Sequence, residues 1–162
     1  MNSGSLGLGA RIAIVRARFY EDLADRLTTG ALRALDEAGI ATDRIDILDV
    51  PGAFELPLAA KACAGTGRYT GVICLGAVIK GETDHYEHVC SAAALGIEQA
   101  QLETGVPCAF GVLTVDNMDQ AIARSGGDKR DQGYDSARVA IQMAELLQGL
   151  LTPTKIAPGR MD

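Results

Sequence analysis

Four short apolar runs, residues 11–15, 45–50, 72–78 and 108–115, alternate along the chain with segments of helical period. That alternation restricts the fold more than any other feature. Strands separated by helix-length segments cannot pair as hairpins; they pair in parallel, with helices covering the sheet. The first run, Arg11-Ile12-Ala13-Ile14-Val15, is β-branched enough for a strand buried on both faces. Between the runs, Leu23, Leu27, Ala31, Leu35 and Ala38 recur at helical spacing before Gly39. A short helix is expected over 54–63, broken by Gly65-Thr66-Gly67, and Val89, Ala93, Ile97 and Ala100 mark the next helix. Residues 118–124 follow an Asp116 or Asn117 cap, and Ala137, Ala140, Met143, Ala144, Leu147 and Leu150 stripe a long final helix. The pattern predicts one three-layer α/β domain with a four-stranded parallel sheet over 11–151. A flexible Gly/Ser-rich segment is expected over 1–10, and a tail broken by Pro153 and Pro158 over 152–162.

In such a sheet, ligands collect at the strand carboxyl ends. Arg18-Phe19-Tyr20, Pro51-Gly52-Ala53-Phe54-Glu55, residues 76–88 and residues 114–117 all fall there. The stretch 76–88 holds both histidines of the chain, His85 and His88, behind a Gly81-Glu82-Thr83 turn. A polar glycine-containing turn leading into a helix suits an anion, and His is the side chain best suited to moving protons near neutral pH. Arg124, Lys129 and Arg130 form a basic cluster in a chain of net charge −6, which points to a phosphate-like anion. The plainer reading of that cluster is charge placed against a helix dipole. Phe19, Phe54 and Phe110 are the only phenylalanines; core packing is the default for each unless all three serve one pocket.

Several classes are excluded. The acidic balance argues against nucleic-acid binding, and no apolar run nears the ~20 residues of a membrane span. No signal peptide is indicated, so a cytoplasmic location is expected. Cys63, Cys74, Cys90 and Cys108 lack metal or redox spacing and read as buried, reduced thiols. His85 and His88 with Glu82 and Glu87 fall short of a convergent zinc set, so no metal is expected and His88 reads as a solvated helix residue. Neither a Walker loop nor G-x-G-x-x-G is present.

Three motifs in order, Pro51-Gly52-Ala53-Phe54-Glu55-Leu56-Pro57, Gly76-Ala77-Val78-Ile79-Lys80-Gly81-Glu82-Thr83-Asp84-His85-Tyr86 and Phe110-Gly111-Val112-Leu113-Thr114, resemble the lumazine synthase family. The resemblance runs from about Arg11 to Leu150. It implies a flavodoxin-like fold and condensation of 5-amino-6-(ribitylamino)uracil with 3,4-dihydroxy-2-butanone 4-phosphate, with no cofactor. By position, Phe19 and Phe54 would hold the pyrimidine, and Ala53 and Glu55 the ribityl chain. The backbone of Ala77, Val78 and Ile79 would read the uracil edge. Glu82, Thr83 and Arg124 would take the phosphate, and His85 would move protons. The family implies a pentamer with Phe110 and Arg124 supplied by the neighbouring subunit, and in many members an icosahedral sixty-subunit shell, with riboflavin synthase as a further partner. Members that stop at pentamers often carry an insertion between the last two helices, and residues 124–133 show none. Two departures stand out. Asp131-Gln132-Gly133 replaces the usual Asn-Lys-Gly, leaving Lys129 or Arg130 as the candidate second cation, and Lys80 replaces a more frequent Arg. A non-catalytic shell-forming or flavin-binding relative is the competing reading. A mononucleotide-binding flavodoxin-like module is a weaker one, because Arg16-Ala17-Arg18-Phe19 stands where its Ser/Thr/Gly-rich loop belongs.

Overall fold

In the computed structural model, which describes Leu6 and residues 9–152, the four apolar runs form a single all-parallel sheet. Its strands are β1 (Ile12–Ala17), β2 (Ile45–Val50), β3 (Gly71–Ile79) and β4 (Cys108–Val115), in the order β2-β1-β3-β4. β1 and β3 are flanked on both edges and covered on both faces, which is why their sequences are apolar almost without interruption. The helices are α1 (Glu21–Glu37), α2 (Leu56–Gly65), α3 (His85–Thr104), α4 (Met118–Ala123) and α5 (Gln132–Leu151).

Side-chain alternation along the two central strands divides the core into two layers. Ile12, Ile14, Ile73 and Leu75 pack with Leu23, Leu27 and Ala31 of α1 and with Ala137, Ala140 and Ile141 of α5. Ala13, Val15, Val72 and Cys74 face the other way, against Leu56, Ala60 and Cys63 of α2 and Val89, Ile97 and Ala100 of α3. The result is the expected three-layer arrangement. Leu6 and Ala10, ahead of β1, are buried in the α1–α5 layer.

α1 and α5 approach each other more closely than side chains would ordinarily allow. A Cβ at Gly133 would lie 2.0 Å from the Leu27 carbonyl oxygen, and one at Gly30 would lie 2.2 Å from Asp131 Oδ1. Asp131 starts α5: its Oδ1 accepts from the Tyr134 amide at 3.1 Å, and Oδ2 lies 3.4 Å from the Arg33 guanidinium. Capping and close helix contact thus fix the start of α5 together.

The structure corrects some boundaries. α3 begins at His85 rather than near Val89, because its first turn is solvent-exposed and carries no apolar stripe to announce it. The expected helix over 54–63 is a 3₁₀ turn, Ala53–Glu55, followed by α2, whose first turn is preset by Pro57. Asn117, not Asp116, caps α4, accepting from the Gln120 amide at 2.9 Å. β2 is an edge strand with Ile47 and Leu48 exposed. Pro153 and Pro158 lie outside the described residues.

Candidate functional site

The chain passes from β1 to β2 on one side of the sheet and then crosses to β3 on the other. A crevice opens at the carboxyl ends where this order reverses. Its walls are tied by backbone bonds: the Arg18 amide donates to Val50 O at 2.9 Å, and the Lys80 amide to Val115 O at 2.8 Å. Pairing of β3 with β1 ends at Arg16 and Leu75, whereas pairing of β3 with β4 continues to Ile79 and Val115. β3 therefore runs past its last partner on the β1 side. Ala77 and Val78 have buried side chains, so what they can offer a ligand there is backbone.

A cavity of about 400 Å³ is lined by Gly52, Ala53, Phe54, Glu55, His85, His88 and Val89. The 3₁₀ turn after β2 places Phe54 and Glu55, and the first turn of α3 places His85. Glu55 is already engaged: its Oε2 accepts from the Gly52 amide at 3.1 Å, which orients the carboxylate and leaves Oε1 to serve as an acceptor. Thr83 Oγ1 accepts from the His85 amide at 3.4 Å, a long contact that keeps the hydroxyl at the helix start. Glu82 and Thr83 are both exposed. Phe19 follows β1 and packs edge-on against Tyr20, with ring centroids 4.9 Å apart.

Core packing does not account for the phenylalanines. Phe19 is 75% exposed, Phe54 62% and Phe110 36%. His88 is an exposed residue of α3, as the sequence predicts. It also lines the same cavity as His85, since the three-residue spacing puts both on one helix face.

The remaining candidates lie elsewhere. Phe110 is paired with Cys74 in mid-strand on the edge strand β4. The Gln132 side-chain amide donates to Phe110 O at 3.2 Å, and the Gln132 backbone amide donates to Arg124 O at 2.9 Å. Arg124 ends α4, with Nη1 donating to Gln120 O at 3.1 Å, so its role against the helix carbonyls is real. Arg130 pairs with Asp135 at 3.1 Å, while the Lys129 side chain is exposed. None of Phe110, Arg124 or Lys129 lines the cavity holding His85. Of the candidates, Ala53, Phe54, Glu55 and His85 line the cleft; Phe19, Ala77, Val78, Ile79, Glu82 and Thr83 lie at the strand ends outside its lining, and Phe110 and Arg124 lie on a flank along β4.

A larger cavity, about 790 Å³, lies between α1 and α4, lined by Tyr20, Asp22, Arg26, Met118 and Ile122 among others. It contains none of the candidate acid–base groups. Burial, before any other cause, pushes the thiols of Cys63, Cys74 and Cys90 up and that of Cys108 to about 11. They stay protonated at neutral pH, and thiolate chemistry has no basis here. Among the described residues, no three His, Cys, Asp or Glu are grouped to hold a metal, and no helix is long and apolar enough to cross a membrane.

The sequence model of the 6,7-dimethyl-8-ribityllumazine synthase family matches residues 9–148, a span that includes both the cleft and the β4 flank. The chain belongs to that family. The 6,7-dimethyl-8-ribityllumazine synthase of Salinibacter ruber (strain DSM 13855 / M31) is 47% identical over 142 residues, covering 88% of this chain and 91% of that protein. The lumazine synthase match therefore takes in every strand and helix described above except the last residues of α5.

Proposed function

We propose that the chain catalyses condensation of 5-amino-6-(ribitylamino)uracil with 3,4-dihydroxy-2-butanone 4-phosphate to 6,7-dimethyl-8-ribityllumazine, releasing phosphate and water, in riboflavin biosynthesis. The observation that carries this reading is the grouping of Phe54, Glu55 and His85 around one cavity in a chain whose residues 9–148 match the family. The pyrimidine lies at the open edge of β3, its polar edge read by the backbone of Ala77, Val78 and Ile79 and its faces by Phe19 and Phe54. Glu55 accepts from the ribityl hydroxyls beside Ala53. Glu82 and Thr83 present the amide and hydroxyl of the turn to the phosphate.

The substrate amine attacks the ketone, and His85 carries the protons that the addition and the departure of phosphate require. The adduct loses a first water to become an imine, phosphate leaves with the electron pair of its C–O bond, and ring closure with loss of a second water completes the lumazine. Holding two substrates in one orientation supplies much of the rate. The proton shuttle adds roughly 10²–10⁴-fold.

The division of candidates between cleft and flank supports an assembled site. Phe110 and Arg124 of one subunit complete the cleft of the next, as in a pentamer, with Lys129 as a second cation. A sixty-subunit shell is compatible with the short connection from α4 to α5; sedimentation showing pentamers alone would exclude it. Mixing purified protein with both substrates and following lumazine fluorescence tests the function directly. Product formation is expected, and its absence in correctly assembled protein would favour a non-catalytic relative.

A further inference from the structure

Arg124 lies where α4 gives way to the loop leading to α5, and the two ends of that corner are held by a side chain from far away in sequence. Arg26, on α1, donates through Nε to Ser125 Oγ at 2.9 Å and through Nη2 to Ile122 O at 3.0 Å. These two acceptors bracket Arg124, one two residues before it and one directly after. Ser125 Oγ in turn donates to Ile122 O at 3.3 Å, closing a three-membered ring of bonds beneath the corner. Ser125 is only 2% exposed and bridges to Asp131 just before α5, so the corner is anchored inside the protein. Among the described residues no carboxylate lies within ion-pair distance of Arg26, whereas Arg18 and Arg33 each have one and Arg16 has two. Its planar fork is committed to neutral oxygens. A guanidinium placed this way orients backbone, since its rigid donors match two acceptors at once, which a lysine cannot do.

We infer that Arg26 is a positioning residue for phosphate recognition, holding the α4–α5 corner so that Arg124 meets the phosphate of the ketone substrate. This rests on the reading of Arg124 given above. Arg26 itself touches no substrate. Its contribution appears in how well Arg124 is placed, not in the proton transfers made by His85.

The test compares Arg26→Met, Arg26→Lys and Arg124→Met in the full-length protein, with KM measured separately for each substrate and inhibition by inorganic phosphate measured against the ketone. Arg26→Met is expected to raise KM for the phosphorylated ketone, and to weaken phosphate inhibition, by about tenfold, the size of one lost charge-assisted hydrogen bond. KM for the pyrimidine should stay within about twofold, and Arg26→Lys, which keeps one donor, should fall in between. If Arg124→Met raises KM for the ketone while Arg26→Met leaves it unchanged, the positioning role is overturned and the phosphate role of Arg124 survives. If Arg124→Met leaves it unchanged too, both fall. A rise in both substrates' KM values with a lowered Tm, unrelieved by Arg26→Lys, would mark Arg26 as a general structural residue and also overturn the inference.

Discussion

Replacing Gly133 by Ala should be among the most damaging single-methyl changes available in α5. The added Cβ would lie 2.0 Å from Leu27 O, 2.7 Å from the Leu27 carbonyl carbon and 2.8 Å from its Cα, all backbone atoms of α1 that have no rotamer to escape into. Real contacts of a Cβ stay above 3.0 Å, so the two helices must separate locally by about 1 Å. Overpacking of this kind costs about 1–3 kcal/mol, and a rigid backbone partner puts it at the upper end. For a chain of this size, about 3 kcal/mol lowers Tm by roughly 6–12 °C. The same helix contains its own control. A Cβ at Gly149 meets nothing within 4 Å, so Gly149→Ala should stabilise by about 0.5–1 kcal/mol, through lower entropy of the unfolded chain, and raise Tm by about 2 °C. Thermal unfolding of the two variants and the parent, at one protein concentration because assembly shifts Tm, gives the comparison. Opposite signs are expected. Shifts of the same sign, or a Gly133→Ala Tm within about 1 °C of the parent, would refute the claim that glycine is required for the α1–α5 contact.

His85→Ala should lower turnover by roughly 10²–10⁴-fold without abolishing it, with both KM values nearly unchanged, because substrate positioning persists. Unchanged turnover across the pH range would remove the proton-shuttle role. His88→Ala reports on the second histidine of the cleft: if it, rather than His85→Ala, gives the large loss, the two assignments must be exchanged. Cys108 predicts alkaline sensitivity. Burial first, then the neighbouring Cys63, raise its thiol from 9.0 to about 11, so the protonated thiol is favoured in the fold. The corresponding stability, about 2–3 kcal/mol, is fully present below pH ~9 and is lost as pH rises toward ~11. Urea midpoints should fall over that window and fall less steeply in Cys108→Ala; parallel slopes would contradict the assignment.

Local rules made part of this molecule legible in advance. The bounds of β2 and β4 follow from apolar runs bounded by turn residues, and Gly39, at φ 82°, does end α1 as its place after Ala38 predicts. The cleft was equally legible, because strand carboxyl ends gather in any parallel sheet, and this alone brings the loop after β2 together with the loop after β3. Illegible features were those set by neighbours distant in sequence. The first turn of α3 is largely polar, so its start could not be found from periodicity, and nothing in the spacing alone shows that exposed His88 shares the cleft with His85.

The β4 flank shows the same limit more sharply. Sequence spacing gives no hint that Gln132 holds Phe110 through its side chain and Arg124 through its amide, or that Arg26 grips the oxygens on either side of Arg124. These contacts change the meaning of Asp131-Gln132-Gly133. Read as sequence, the triplet is a place where a cation is missing. In the structure each residue has a separate local role: Asp131 caps α5, Gln132 joins the two candidate residues of the flank, and Gly133 lets α5 touch the backbone of α1. A lysine at 132 could keep the backbone bond to Arg124 and could still donate to Phe110 O, but as a flexible ammonium rather than a planar amide. Gln132 thus acts as a neutral brace for the flank, and the aim of Arg124, the candidate phosphate cation, depends on how firmly its corner is held.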